Sequence, residues 1–68
     1  MDRFGVKIEE LRSKKSVTSA EAARALGIPQ SRLRELEKGI RVPTDGQVHR
    51  MEAYYSMGDG ELASLLKN

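Results

Sequence analysis

The side chains able to do chemistry concentrate between residues 30 and 41. Gln30 and Ser31 bring amide and hydroxyl groups there, Arg32, Arg34, Lys38 and Arg41 bring cations, and Glu35 brings a carboxylate. At about 100° per residue, Ser31, Arg34, Glu35 and Lys38 share one side of a helix, with Gln30 beside them at its start, while Leu33 and Leu36 take the opposite side. A helix that buries leucines and turns donors, acceptors and cations outward suits contact with a polar, anionic surface. Catalysis lacks its parts: there is no Cys, the single His is His49, and no Gly-rich loop follows a strand. Glu9, Glu10, Glu35 and Glu37 supply carboxylates, but so small a domain offers no cleft to gather them. His49, next to Arg50 and near Tyr54, reads as an ordinary surface histidine. The expectation is a protein without enzymatic activity, metal or cofactor.

Charge follows the same division. The net charge is +2, yet residues 1–43 hold ten Lys or Arg against six acids, a balance of +4, whereas residues 44–68 hold two against four, a balance of −2. One surface facing a polyanion and another facing away fits that split. The 68 residues allow a single domain, one that buries only about 60% of the surface its unfolded chain exposes. No run of about 18 apolar residues exists to span a membrane. The start, with Asp2 and no apolar run, does not read as a secretory signal. Without disulfides or metal, helix packing must hold the fold, helped by a second copy of the chain where the core falls short.

Periodicity and punctuation divide the chain into five short helices. The first covers residues 2–15, with Phe4, Ile8 and Leu11 on one face and Asp2 as its cap. Thr18, followed three residues later by Glu21, predicts a capping box for the second helix, which is rich in alanine and stops at Gly27. Pro29 suits the first positions of a third helix that ends at Gly39. A fourth helix is expected over about 46–57, with Val48, Met51 and Tyr55 inward, and a fifth after Asp59-Gly60, carrying Leu62, Leu65 and Leu66.

The junction of helices two and three holds the most information. Gly27-Ile28-Pro29 is too short to let the two helices run side by side, so they must cross as in a helix-turn-helix, at about 19–38. Counting from Ser19, the fifth residue is Ala23, small enough for close backbone approach, and the ninth is Gly27, which tolerates positive φ. Ala22, Leu26, Ile28, Leu33 and Leu36 fall where an inner face requires them.

These residues resemble the Cro and phage-repressor-like helix-turn-helix domains, the XRE type. The likeness rests on Phe4-Gly5 with Ile8, Leu11 and Arg12, on Val17-Thr18, on Ala23 and Gly27, and on Leu33, Leu36, Glu37, Gly39, Arg41 and Pro43, and it spans about residues 4–66. The sequence departs from the pattern in having Ser19 for Gln, Pro29 for a Ser or Thr cap, Arg34 for Ser, and Glu52 and Tyr54 for small apolar residues. The winged-helix regulators of the mercury-resistance type fit less well, because one residue too few separates Glu37 from Gly39 and no wing hairpin follows. The resemblance implies an all-α, compact five-helix repressor-like domain and a regulator of transcription that binds double-stranded DNA. It implies a bacterial or phage-encoded, cytoplasmic protein, nucleoid-associated when bound.

The resemblance further assigns base contact mainly to Gln30, Ser31 and Glu35, with Arg32 and Arg34 able to reach bases or phosphates. Gln30 can pair bidentately with adenine, an arginine with guanine, and Glu35 can accept from cytosine N4. Without a cytosine partner an acid facing DNA is unfavourable, so Glu35 also selects against wrong sites. Ser19, at the start of helix two, and Lys38 and Arg41, around the end of helix three, are the expected phosphate contacts. The family pattern also pairs Arg12 with Glu37 as a structural ion pair between helices one and three.

A lone helix-turn-helix module contacts too little DNA for tight specific binding, so a homodimer on a palindromic site is expected. Tyr54, Tyr55, Met57, Leu62 and Leu65, within a candidate dimerisation region at 51–66, are the seam this reading offers. The competing expectation is a protein-interaction module, such as an antitoxin, antirepressor or adaptor, binding a regulatory protein partner through the mixed-charge third helix.

Overall fold

Thirteen residues, Arg3–Lys15, form α1 because Phe4 and Ile8 recur on one face and are almost wholly buried, with Leu11 half-buried below them. In the computed structural model, which describes residues 2–67, Asp2 occupies the cap position of α1 but makes no side-chain cap bond. Its carboxylate instead lies against Gly5 and Gly39, between the start of α1 and the end of the third helix. Ser16, in the left-handed region at φ 59°, ends α1.

The capping box of α2 (Ser19–Leu26) is formed. The Glu21 N–H donates to Thr18 Oγ1 at 3.1 Å and the Thr18 N–H to Glu21 Oε1 at 2.9 Å. Gly27, at φ 74°, closes the helix, and the Ile28 N–H turns back to the Ala23 carbonyl at 3.0 Å. The chain then enters α3 (Gln30–Lys38) with Pro29 as the cap residue, one position outside the helix, its carbonyl accepting from Arg32 and Leu33. Gly39, at φ 77°, ends α3. A second capping box, Thr44 with Gln47, starts α4 (Asp45–Tyr54) one residue earlier than periodicity suggests, and Ser56 at φ 57° turns the chain away before Met57.

The expected fifth α-helix is absent; the described residues form four α-helices and a 3-10 turn at Ala63–Leu66. The start of the segment is capped, since the first amides of any helix lack partners within it, but the chain is extended again by Lys67, at ψ 142°. Glu52 Oε2 accepts from the Leu62 N–H at 3.0 Å and the Ala63 N–H at 3.1 Å, and the Glu61 carboxylate accepts from the Gly58 N–H. With Gly60 at φ 86°, only four residues remain for regular structure, and they tighten into i→i+3 bonding.

α3 packs on α1 and α2, α4 packs on α2, and the 3-10 turn closes over α1 and α4. Leu33 and Leu36 at the centre have no exposed surface, and Ala22 and Ala23 let α2 approach with little intervening side chain. Arg50 of α4 donates to the Leu26 carbonyl at 3.4 Å, satisfying one of the free carbonyls at the end of α2. The turn between α2 and α3 is therefore braced from behind.

Candidate nucleic-acid interface

Burial of Leu33 and Leu36 fixes which side of α3 meets solvent. Gln30, Ser31, Arg34 and Lys38 are exposed, while Arg32 and Glu35 are partly covered at the edge of the same face. Gln30 Nε2 donates to Ser19 Oγ at 2.9 Å. That bond joins the first residue of α3 to the first residue of α2, so an expected base-contacting group and an expected phosphate-contacting group form one unit. In α2 the capping box occupies the Glu21 N–H, and the Ala22 N–H bonds to the Thr18 carbonyl. The N–H groups of Ser19 and Ala20, at the start of the helix and without a partner among the described residues, remain for an outside acceptor.

Beside this edge lies a depression of about 280 Å³ lined by Glu9, Arg12, Ser19, Arg34, Glu37 and Lys38. Arg34 and Lys38 form no ion pair among the described residues. Arg12, deeper in the wall, is committed. Its Nε donates to Glu37 Oε2 at 2.8 Å, its Nη2 to Glu37 Oε1 at 3.3 Å, and its Nη1 to the Val17 carbonyl at 3.1 Å. The hydrogen bond to Glu37 is the main cause that raises the guanidinium pKa, outweighing desolvation. Arg12 thus ties α1 to the end of α3 and to the chain entering α2.

Arg41 stands apart from the other cations. It lies in the loop after α3, and its Nε donates to Glu35 Oε1 at 2.6 Å. Arg32 Nε lies 3.8 Å from the same oxygen. Spacing within a helix does not reveal this triplet, because Arg41 and Glu35 lie on opposite sides of the Gly39 turn.

The residues expected at a dimer seam divide. Leu62 is fully buried and Tyr55 is 7% exposed, so both belong to the core of their own chain. They help close the core over α1 and α4. Tyr54, Met57 and Leu65 are only partly buried. Tyr54 packs on the Tyr55 ring, with centroids 4.9 Å apart, and carries Lys15 Nζ 4.8 Å above its own ring. Among the described residues, the large exposed apolar side chains are Val6, Ile40, Val42 and Leu66.

A comparison with protein families matches residues 3–65 to the family described as helix-turn-helix domain. The chain belongs to this helix-turn-helix family. The family is of the DNA-binding, transcription-regulating XRE type. No curated protein and no solved structure gave a match. No helix among the described residues is long and apolar enough to cross a membrane.

Proposed function

We propose that this helix-turn-helix protein is a sequence-specific reader of double-stranded DNA of the Cro and phage-repressor kind, with α3 in the major groove, acting as a homodimeric repressor on a palindromic operator. The observation that carries the reading is the outward face of α3, where Gln30, Ser31, Arg34 and Lys38 meet solvent directly above two fully buried leucines. In this reading Gln30, Ser31, Arg34 and Glu35 address base edges, Arg32 addresses a base edge or a phosphate, and Ser19, Lys38 and Arg41 address phosphates. The Gln30–Ser19 bond supports it, because a phosphate held at the start of α2 would then orient the amide that reads a base.

Size supports the dimer. The described chain measures 30 × 24 × 20 Å, while successive major-groove faces lie about 34 Å apart. One copy covers one half-site, and a two-fold pair covers a palindrome. With Tyr55 and Leu62 in the core, Tyr54, Met57 and Leu65 are the seam residues left to the proposal. Repression follows by occlusion of the bound site. Selection of bound sequences from a random duplex pool tests the reading: a palindrome with half-sites one helical turn apart is expected. Enrichment of no sequence, together with binding insensitive to salt, would exclude it.

A further inference from the structure

Glu35, Arg32 and Arg41 form a compact triplet of alternating charge at the edge of the face that the DNA-reading proposal turns toward the groove. Their side chains are 36%, 37% and 44% exposed. Ion pairs this exposed contribute about 0–1 kcal/mol to folding, so stability is a poor reason for the arrangement. Nor does apolar packing anchor the loop that carries Arg41, since its neighbours Ile40 and Val42 are 71% and 84% exposed. The Glu35 carboxylate is what holds the Arg41 side chain against α3.

Resting on the DNA-reading proposal, we infer that Glu35 is a specificity latch: its carboxylate occupies Arg41 and Arg32 as a phosphate would, and releases them only on a sequence that gives the carboxylate a donor of its own. Sequence-indifferent affinity comes from cations neutralising phosphates. On random duplex, a phosphate drawing Arg41 away must displace an oxygen already at 2.6 Å. It also leaves a carboxylate uncompensated next to a polyanion. On a site that presents an exocyclic amino group in the major groove, cytosine N4 or adenine N6, the freed carboxylate accepts a hydrogen bond and both arginines reach the backbone. The latch therefore weakens binding everywhere except at the right bases, and it adds discrimination that contacts by Gln30 and Ser31 do not supply.

The test compares wild type, Glu35→Gln, Glu35→Gln/Arg41→Gln and Glu10→Gln on random-sequence duplex over a series of salt concentrations, and on the best selected site. Glu10→Gln removes the same charge from an exposed pair with Lys7 on α1, so it measures the effect of net charge alone. Glu35→Gln should bind random duplex about tenfold tighter at low salt, with a log–log salt slope steeper by about one to two, at roughly 0.9 for each additional phosphate neutralised. Its preference for the selected site should fall by at least as much. Glu10→Gln should stay within about threefold of wild type, with an unchanged slope. The double variant should lose most of the increase. A Glu35→Gln protein no tighter on random duplex than Glu10→Gln, or an increase that survives loss of Arg41, overturns the latch alone. No salt-dependent duplex binding by any of the four, wild type included, overturns the DNA-reading proposal and the latch with it.

Discussion

Gly5 of α1 lies so close to the end of α3 that a β-carbon there would sit 2.5 Å from the Glu37 carbonyl oxygen and 2.7 Å from that of Leu36. Both obstacles are backbone atoms of a helix terminus, so neither can rotate aside. Gly5→Ala would gain about 1 kcal/mol of helix propensity, but forcing α1 and α3 apart costs more, typically about 1–3 kcal/mol for overpacking. The variant should melt lower, by roughly 5–10 °C for a domain of this size, despite alanine being the better helix former. A calorimetric or circular-dichroism melt decides it: a rise in melting temperature would mean that the helices do not meet at Gly5.

The Arg12–Glu37 pair sits on the same seam. Glu37→Ala leaves a guanidinium that cannot shed its proton, with the Val17 carbonyl as its remaining hydrogen-bond partner. The side chains are 19% and 7% exposed, so desolvation is substantial and the loss should reach about 2–3 kcal/mol. Folding and specific DNA affinity should fall together, because the pair fixes the end of the reading helix. Glu37→Gln, which keeps an oxygen acceptor, should lose less. An unchanged melting temperature in Glu37→Ala would remove the pair from the stability of the fold.

Tyr55 predicts behaviour in alkali. Its hydroxyl is buried without a hydrogen-bond partner among the described residues, and burial first, then the charge of Glu37, push its pKa from 10.0 up to about 12. Because the folded state resists losing this proton, unfolding becomes easier once the pH passes 10, and stability falls as the pH climbs toward 12. Tyr55→Phe should lose that part of the alkaline decline. At neutral pH it should be equally stable or better by up to about 1 kcal/mol, since no hydrogen bond is broken. Melts of both proteins on either side of pH 10 test it, and a strongly destabilised Tyr55→Phe at neutral pH would show that the hydroxyl is satisfied.

Glu52 predicts the opposite end of the scale. Hydrogen bonding from the Ala63 backbone leads, with Gly60, Leu62 and the charge of His49 adding, and together they hold its carboxyl below the usual 4.5 against the effect of burial. Stability from this contact is whole above that ordinary value and is lost as the pH falls through the lower folded-state value. Acid should therefore loosen the Leu62–Ala63 segment first, seen as early hydrogen exchange at those two amides. In Glu52→Gln the two amides should exchange faster already at neutral pH and respond less to acid than in wild type. Equal acid response in both proteins would place the titrating group elsewhere.

The helix-turn-helix is legible because its signals are local. The Thr18–Glu21 box, the glycines at 27 and 39 and the inward Leu33 and Leu36 each act within a few residues of themselves. Thr44 and Gln47 carry the same signal three residues apart, but the preceding Pro43 and the following Gly46 make the stretch read as loop. The chain end misleads because its fate is decided at a distance. Leu62, Leu65 and Leu66 have helical spacing, yet they form one short turn between Gly60 at φ 86° and extended Lys67, docked through its first amides on Glu52 from ten residues upstream. The same distance hides which apolar residues turn inward, so Tyr55 and Leu62 look available for a partner. The Glu35–Arg41 contact is hidden for a related reason, since no helical register relates residues on either side of a left-handed glycine.

Gln30 and Lys38, at opposite ends of α3, should separate reading from holding. Gln30 is positioned by Ser19 and carries the amide that suits adenine. Gln30→Ala should cost about 1–3 kcal/mol on the selected site, relax preference at one position of each half-site, and leave affinity for random duplex nearly unchanged. Lys38 is exposed, lines the depression beside Ser19 and forms no ion pair among the described residues. Lys38→Gln should weaken selected and random duplexes alike and lower the salt slope by about one per chain. Ser19→Ala frees the amide of Gln30 while removing the hydroxyl offered to a phosphate, so it should show part of each effect. Titrations of the three variants on both duplexes at two salt concentrations decide the assignment. If Lys38→Gln changed sequence preference and Gln30→Ala changed only the salt slope, α3 would lie in the groove the other way round from the orientation proposed.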